Sequence, residues 1–447
     1  MKGFKAYDIR GIYNEDFDRE DVFRIGHFLP RLMDTNRILV GHDHRISSQE
    51  IREALIRGIT SAGADVYDMG LATTPMVYFA SGRMDFEASV QITASHNPGE
   101  YNGFKVSGKD VMPVGYANGL DRLEQMVHEA PLQEDTRPGK VVPVDYKGKY
   151  LDFLKNRYYH PDVEGLNLAV DCSNGMAGYL IRDLLGEKPH YLYEEPDGRF
   201  PHHDPNPLKK ENQKPLMEQV LKHQCDAGIL FDGDADRVVF VDEKGRFVSP
   251  DLIIALMGHY FLTRPGERVL QDIRSSRSVK EYLKDFGAQV HTWKVGRAFA
   301  CPRLREIDAI YGGEFAGHYY FRDFYYSDSA MVAALVVTDV LAELRKKGIT
   351  FSRAVDQISN YYSSGEMNYT IERKQEAIDA VVDYFTRQEE PREAFDFDGK
   401  RLDFDDWWIN IRPSNTEPYL RVIIEARREQ LLKEKVDEVG RLLEQYQ

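Results

Sequence analysis

Three aspartates, Asp232, Asp234 and Asp236, stand at alternate positions in the segment FDGDADRVVFVDEKG, directly after the strand-like run CDAGIL. Three carboxylates held that close repel one another, each pair by about 4 kcal/mol at ~4 Å and a surface-like dielectric. A divalent cation removes that cost, and an all-oxygen ligand set suits Mg2+. The same spacing opens an EF-hand loop, with Glu243 at its last position. Arg237, however, fills the place that requires glycine, and VVFVD reads as a strand. The remaining alternative is a solvated acidic turn. Arg237 either pairs with these aspartates or offers a cation to a phosphate held near the metal.

A second candidate is TASHNPGEYNGFK, Thr93 to Lys105, which follows the alternating run ASVQI. Ser95 is a candidate nucleophile, but no GxSxG elbow surrounds it, which argues against a hydrolase triad. A phosphorylated serine lying against a metal suits the aspartate cluster better; a turn or helix-capping serine is the plainer reading. In RPSNTEPYLR, Arg412 to Arg421, short hydroxyls, backbone N–H groups and arginines are the parts of a phosphate cradle or of a polar turn. In YGGEFAGHYYFRDF, paired glycines permit close backbone approach, Glu314 can accept from neighbouring sugar hydroxyls, and His318 can donate or shuttle a proton. A buried turn with a satisfied histidine is the alternative there.

These segments need elements to hold them. Strand, polar loop, helix, strand recurs three times: NRILVGHD with SSQEIREALIRGITSAG and ADVYDMG, then LNLAVDCSNG with MAGYLIRDLLGEK and HYLYEE, then ERVLQDIRSS with RSVKEYLKDFG and AQVHTW. The ground plan predicts three similar α/β domains with mixed or largely parallel sheets, ligands sitting at loops beyond the strand ends. A serine is expected to cap the first of these helices. The last ninety or so residues predict a smaller α+β domain with a closing amphipathic helix. Boundaries are expected near residues 140, 246 and 358, giving domains 1–140, 141–246, 247–357 and 358–447. The net-acidic stretch RQEEPREAFDFDGKRLDFDD reads as a solvated loop.

Composition limits what this scaffold can serve. A net charge of −15 over 447 residues argues against general nucleic-acid binding, and an anionic substrate would need cations gathered locally. Three widely spaced cysteines without CxxC spacing fit a reducing compartment. No signal peptide or membrane span is expected; AMVAALVVTDVLAEL reads as a buried helix.

Taken together and in order, FKAYDIRG, TASHNP with YNGFK, PDGRFPHHDPNPL, DGDADR, GGEFAGHYYFRDF and RPSNTEP resemble the α-D-phosphohexomutase superfamily, in its phosphomannomutase/phosphoglucomutase branch, over nearly the whole chain. The resemblance implies four domains around a central cleft. It implies that Ser95 is the phosphoserine, with His96 beside it, and that Asp232, Asp234, Asp236 and a phosphoserine oxygen ligate Mg2+. Arg237 would lean on the transferring phosphate, Arg10 and Lys105 would line the transfer site, and Glu314 would hold sugar hydroxyls from a loop shared with Ala316 and His318. Arg412, Ser414, Asn415 and Thr416, with Arg421 at the end of the same motif, would hold the non-reacting phosphate.

The implied reaction interconverts hexose 1-phosphate and hexose 6-phosphate through a hexose 1,6-bisphosphate, which also serves as activator, with Lys105 or His318 as general base. Small hexose phosphates are the expected partners, without nucleic acid or membrane. A cytoplasmic monomer or weak dimer is expected. A phosphoglucosamine mutase is the alternative, although that group usually has glycine where Asn415 stands; a non-catalytic sugar-phosphate-binding homologue is another. Three positions depart from the common pattern: Ala316 where serine is frequent, Arg297 where many mutases have histidine, and Arg274 where lysine is frequent. Arg274 and Arg297 are expected on the substrate. The hydroxyl missing at Ala316 removes a sugar contact worth about 0.5–1.5 kcal/mol.

Overall fold

The run Arg37–His42 is apolar through its centre and buried there, as a strand covered on both faces requires. In the computed structural model, which describes residues 1–133, 135–414 and 419–446, it lies between parallel neighbours Asp65–Leu71 and Ala88–Ile92, and Tyr101–Gly108 runs antiparallel to the latter. The second unit rebuilds this core. Leu168–Asp171 lies between His190–Leu192 and Ala227–Phe231, with Val238–Asp242 antiparallel beyond. The third does so again, with Arg268–Asp272 between Gln289–Trp293 and Tyr311–Gly313, and Tyr319–Phe321 antiparallel beyond. Numbered along the chain, the spatial order in each core is second, first, third, fourth. The three sheets are therefore mixed, and their likeness follows from the repeated pattern.

Edge strands extend all three units; Ile9–Ile12 in the first and Ser327–Asp328 in the third each pair antiparallel to the fourth core strand. Val141–Pro143 completes the first sheet beside Asp65–Leu71, and Phe247–Val248 completes the second beside Val238–Asp242. Both lie just past the boundaries expected at 140 and 246. The fourth unit is an antiparallel sheet built on Trp407–Pro413 and Tyr419–Ala426, covered by helices Lys374–Thr386 and Glu429–Leu443. The stretch expected to be a solvated loop instead supplies two of its strands, Glu393–Phe395 and Lys400–Asp403. Glu393–Phe395 is the sheet edge, where charge discourages further pairing; Lys400–Asp403 lies inside it, with Arg401 buried 3.9 Å from the Trp408 ring centre and paired with Asp403.

One apolar core runs through the first three units, with Phe79, Tyr150, Phe153 and Phe324 filling the space between them. The helix Ala330–Lys346 lies within it. The fourth unit has a core of its own and meets the third through polar groups. Arg401 donates to the carbonyls of Ile273 and Ser275, and Ser276 Oγ donates to Glu425 at 2.7 Å. Among the described residues no helix is long and apolar enough to cross a membrane.

The helix Ser48–Ser61 begins without the expected serine cap. Ser47 Oγ accepts from Asn102 Nδ2 and Ser48 Oγ donates to Asp43, so both hydroxyls tie the helix to its sheet.

Candidate active site

In each of the first three units the loop joining the third and fourth core strands carries a candidate segment. Ser95 lies between Ala88–Ile92 and Tyr101–Gly108, the aspartates between Ala227–Phe231 and Val238–Asp242, and Glu314 to His318 between Tyr311–Gly313 and Tyr319–Phe321. The three loops touch. Ser95 Oγ is 3.2 Å from Asp232 Oδ2, and Arg237 and His318 form a backbone bridge. Ser95 itself sits in the left-handed region at φ 53°. A Cβ on Gly233 would meet the Ser95 carbonyl oxygen at 2.4 Å, so only glycine lets the aspartate loop lie against the serine loop.

An aspartate at the end of each first strand fixes the loop behind. Asp43, Asp171 and Asp272 each accept from the amide two residues on. Two of these turns carry an arginine. Arg45, buried and paired with Asp43, donates to the carbonyls of Ser95, Asn97, Pro98 and Tyr101 and so fastens the serine loop. Arg274 pairs with Asp272 through Nη2 at 2.6 Å and faces the cleft.

Asp232, Asp234 and Asp236 are buried, and one ligand atom from each lies within 4.8 Å of the others. Asp234 Oδ1 and Asp236 Oδ1 are buried without a hydrogen-bond partner among the described residues. Burial and the neighbouring Asp236 and Asp234 push the Asp232 carboxyl well above its usual range. Orphaned, mutually repelling oxygens are what a hard divalent cation would satisfy, so the donor set fits Mg2+. Lys105 Nζ lies 2.6 Å from Asp234 and also contacts Asp236, and the Thr74 hydroxyl donates to Asp234. A neighbouring trio, Asp236, His318 and Asp328, is also compact, but there the imidazole and Asp328 already satisfy each other.

Neither candidate base has a free lone pair in this arrangement. Burial alone would lower the Lys105 ammonium, but Asp234 and Asp236 outweigh it and hold the proton on. His318 has Nδ1 at 2.7 Å from Asp328 Oδ2, while Nε2 accepts from Arg237 Nε at 2.8 Å. That pairing assigns the proton to Nδ1. His96 Nδ1 is 3.3 Å from Ser95 Oγ; burial, then Arg237, Arg10 and Lys105, push it well below the usual imidazole value, so the ring is neutral. Arg10 donates to Asn97 Oδ1 at 2.8 Å and pairs with Asp8.

A cleft of about 880 Å³ brings the expected residues of all four units together. Arg10, Ser95, His96, Lys105, Asp236, Arg237, Arg274, Arg297, Glu314, Ala316, His318, Arg412, Ser414 and Arg421 all border it, with Asp232 and Asp234 behind. A second hollow of about 850 Å³, behind the first unit, contains none of them. Glu314 Oε1 accepts from Gly296 N at 2.9 Å and Tyr320 Oη at 2.8 Å, leaving Oε2 without a partner among the described residues. Arg412 and Arg421 both pair with Glu366. Asn415 and Thr416 lie outside the described residues.

Arg297 borders the cleft, and most of its guanidinium is engaged in the seam between the first and third units. Nε donates to Asp328 Oδ1 at 3.1 Å, Nη2 to the Val111 carbonyl at 3.0 Å and Ser327 Oγ at 3.2 Å, and the group lies 4.0 Å from the Tyr78 ring centre. Nη1 is the least committed, with Ser107 Oγ at 3.5 Å as its one contact among the described residues, so a phosphate would draw on Nη1 alone unless that seam opens.

Sequence reasoning missed Arg45, Thr74, Asp328 and Glu366. The Asp-x-Arg shared by GHDHR and QDIRSS was the available signal for Arg45; for the others no local pattern marks them.

The chain matches the models of all four phosphoglucomutase/phosphomannomutase domains: α/β/α domain I over residues 1–133, domain II over 148–245, domain III over 249–361 and the C-terminal domain over 366–442. It is 34% identical over 436 residues to a phosphomannomutase of Escherichia coli K12, covering 95% of this chain and 94% of that one. It is 34% identical to a Xanthomonas campestris protein described as phosphohexose mutases, covering 99% of each. A crystal structure of a phosphoglucomutase/phosphomannomutase family protein from Burkholderia thailandensis superposes with a TM-score of 0.86 at 27% identity, covering 99% and 97%.

Proposed function

The chain belongs to the phosphoglucomutase/phosphomannomutase family, and from that premise we propose how its own residues carry the reaction. It is a phosphohexomutase, an isomerase that interconverts hexose 1-phosphate and hexose 6-phosphate. The observation that carries the residue assignment is the 3.2 Å approach of Ser95 Oγ to Asp232 inside a cleft walled by all four units.

A hexose 1-phosphate sets its phosphate on Arg412, Ser414, Asn415, Thr416 and Arg421 and its ring hydroxyls on Glu314. The 6-hydroxyl attacks the phosphorus on phosphorylated Ser95: the new O–P bond forms as the Ser95 Oγ–P bond breaks, and a base takes the hydroxyl proton. The bisphosphate turns in the cleft, and its 1-phosphate returns to Ser95 as hexose 6-phosphate leaves. Mg2+ held by the three aspartates and a phosphoserine oxygen would neutralise charge on the transferring group. Arg10, Lys105 and Arg237 add fixed positive charge there. Attraction of Arg237 to the phosphoryl oxygens would withdraw its hydrogen bond from His318 and uncover Nε2, which favours His318 over Lys105 as the base.

The test compares purified protein on mannose 1-phosphate, glucose 1-phosphate and glucosamine 1-phosphate, with Mg2+ and a trace of hexose 1,6-bisphosphate. Turnover of the first two that Ser95→Ala abolishes is expected. Turnover confined to glucosamine 1-phosphate, or turnover that survives Ser95→Ala, would overturn the assignment.

A further inference from the structure

The phosphate end of the cleft already holds an anion that belongs to the chain. Glu366 immediately precedes the strand Met367–Thr370, in which Asn368 is the register partner of Arg421. Arg421 is in turn the cross-strand partner of Arg412. Residues two apart on an extended chain share a face, so Glu366 comes to the side on which both arginines project. Its Oε2 accepts from Arg412 Nη2 and its Oε1 from Arg421 Nη1, each at 3.2 Å. Arg274, from the third unit, also feels its charge. The Glu366 side chain keeps 21% of its surface exposed and borders the cleft, so a ligand can reach and displace it. Arg412 Nε is buried with no acceptor among the described residues, so the cradle has donor capacity that one carboxylate leaves unused.

We propose that Glu366 is a built-in competitor for the substrate's phosphate and sets the affinity and charge selectivity of this end of the cleft. The inference rests on the reading that Arg412 and Arg421 receive the non-reacting phosphate. A phosphate dianion brings more charge and more acceptor oxygens than the carboxylate it displaces. A singly charged ligand, such as a sugar carboxylate, gains little by the exchange and is refused. The competition also limits how firmly either phosphate of a bisphosphate is gripped. Grip that is equal in ground and transition states lowers KM without raising kcat, and here it would slow the release that turning requires.

The experiment measures calorimetric binding of glucose 6-phosphate and of glucuronate to Mg2+-loaded protein carrying Ser95→Ala, alone and combined with Glu366→Gln or Glu366→Asp. Expected for Glu366→Gln is binding of glucose 6-phosphate tightened roughly fivefold, the scale of one partly exposed ion pair, with glucuronate gaining at least as much. Glu366→Asp, which keeps the charge, should return both toward the parent. With Ser95 intact, Glu366→Gln should lower KM and kcat together. Equal or weaker binding of glucose 6-phosphate by Glu366→Gln would overturn the proposal, because a carboxylate that merely props the arginines gives that result. Failure of the parent itself to bind glucose 6-phosphate would overturn the underlying reading of the cleft as well, so the two failures are distinct.

Discussion

Arg237 and His318 meet twice: their backbones form an isolated bridge between the second and third units, and Arg237 Nε donates to His318 Nε2 at 2.8 Å. A guanidinium cannot donate to a protonated imidazole, so the contact fixes a neutral ring with its proton on Nδ1, facing Asp328. The orientation of the proposed base is thus set by groups from two units.

Replacing Asp328 by asparagine tests that dependence. The amide nitrogen competes for the Nδ1 side and favours the other tautomer. We expect kcat on glucose 1-phosphate to fall about 10²- to 10⁴-fold while KM changes by less than about threefold. A kcat within a factor of about two of the parent would remove Asp328 from the reaction.

The buried aspartates should make stability depend on magnesium. A ligand at one hundred times its Kd adds about 2.7 kcal/mol, and relief of carboxylate repulsion is its source here. Thermal melting with Mg2+ against a chelator should show that gain in the parent and lose most of it in Asp232→Asn and Asp234→Asn. An equal gain in all three proteins would mean the ion binds elsewhere.

Arg45 is the fastening of the serine loop. Removing one partner of a buried ion pair leaves an uncompensated charge and costs about 3–5 kcal/mol. Arg45→Met should therefore lower stability by that order in chemical denaturation, and the double variant Asp43→Asn/Arg45→Met should recover part of the loss. No recovery would show that the four carbonyl contacts, rather than Asp43, carry the cost.

Glu425 gives a pH dependence of defined sign. It lies between Ser276 Oγ at 2.7 Å and Trp408 Nε1 at 2.8 Å, and burial, reinforced by Asp251, pushes its carboxyl up to about 7. The folded chain holds this proton more firmly than the unfolded one. Its contribution to folding is therefore complete below the ordinary glutamate value and is lost as pH rises through about 7, on the order of 3 kcal/mol in all. Glu425→Gln keeps the two acceptor contacts and cannot ionise, so its stability should fall less than the parent's between about pH 5 and pH 8. Parallel curves would place the titration on another group.

What could be read in advance follows contact range. The aspartates, Ser95 and Glu314 each sit in a short contiguous segment after a strand, and a local pattern suffices to find them. Arg297 could be read only as a cation near the cleft. What fixes it is Asp328, 31 positions away, and Val111, 186 positions away, and no periodicity joins them. Glu366 was hidden for the same reason, since its partners lie on strands that follow much later. The strands Glu393–Phe395 and Lys400–Asp403 were missed because both are short and charged: the first is the sheet edge, where charge is common, and the second lies inside it with Arg401 and Asp403 paired to each other.

The three working turns occupy the same corner of the same repeated sheet, yet they differ in length and in chemistry. Hydrogen-bond ladders on either side hold each corner, so a turn can change its residues without redirecting the strands. The units thus resemble identical sockets fitted with different tools. In the proposed reaction none of the tools works in its own socket, since each acts on what a neighbour presents. An ancestor with three like corners would have needed no new scaffold to acquire this chemistry, only independent drift at three addresses. By the same logic, a present-day relative could change its substrate by exchanging one turn and leaving the other two alone.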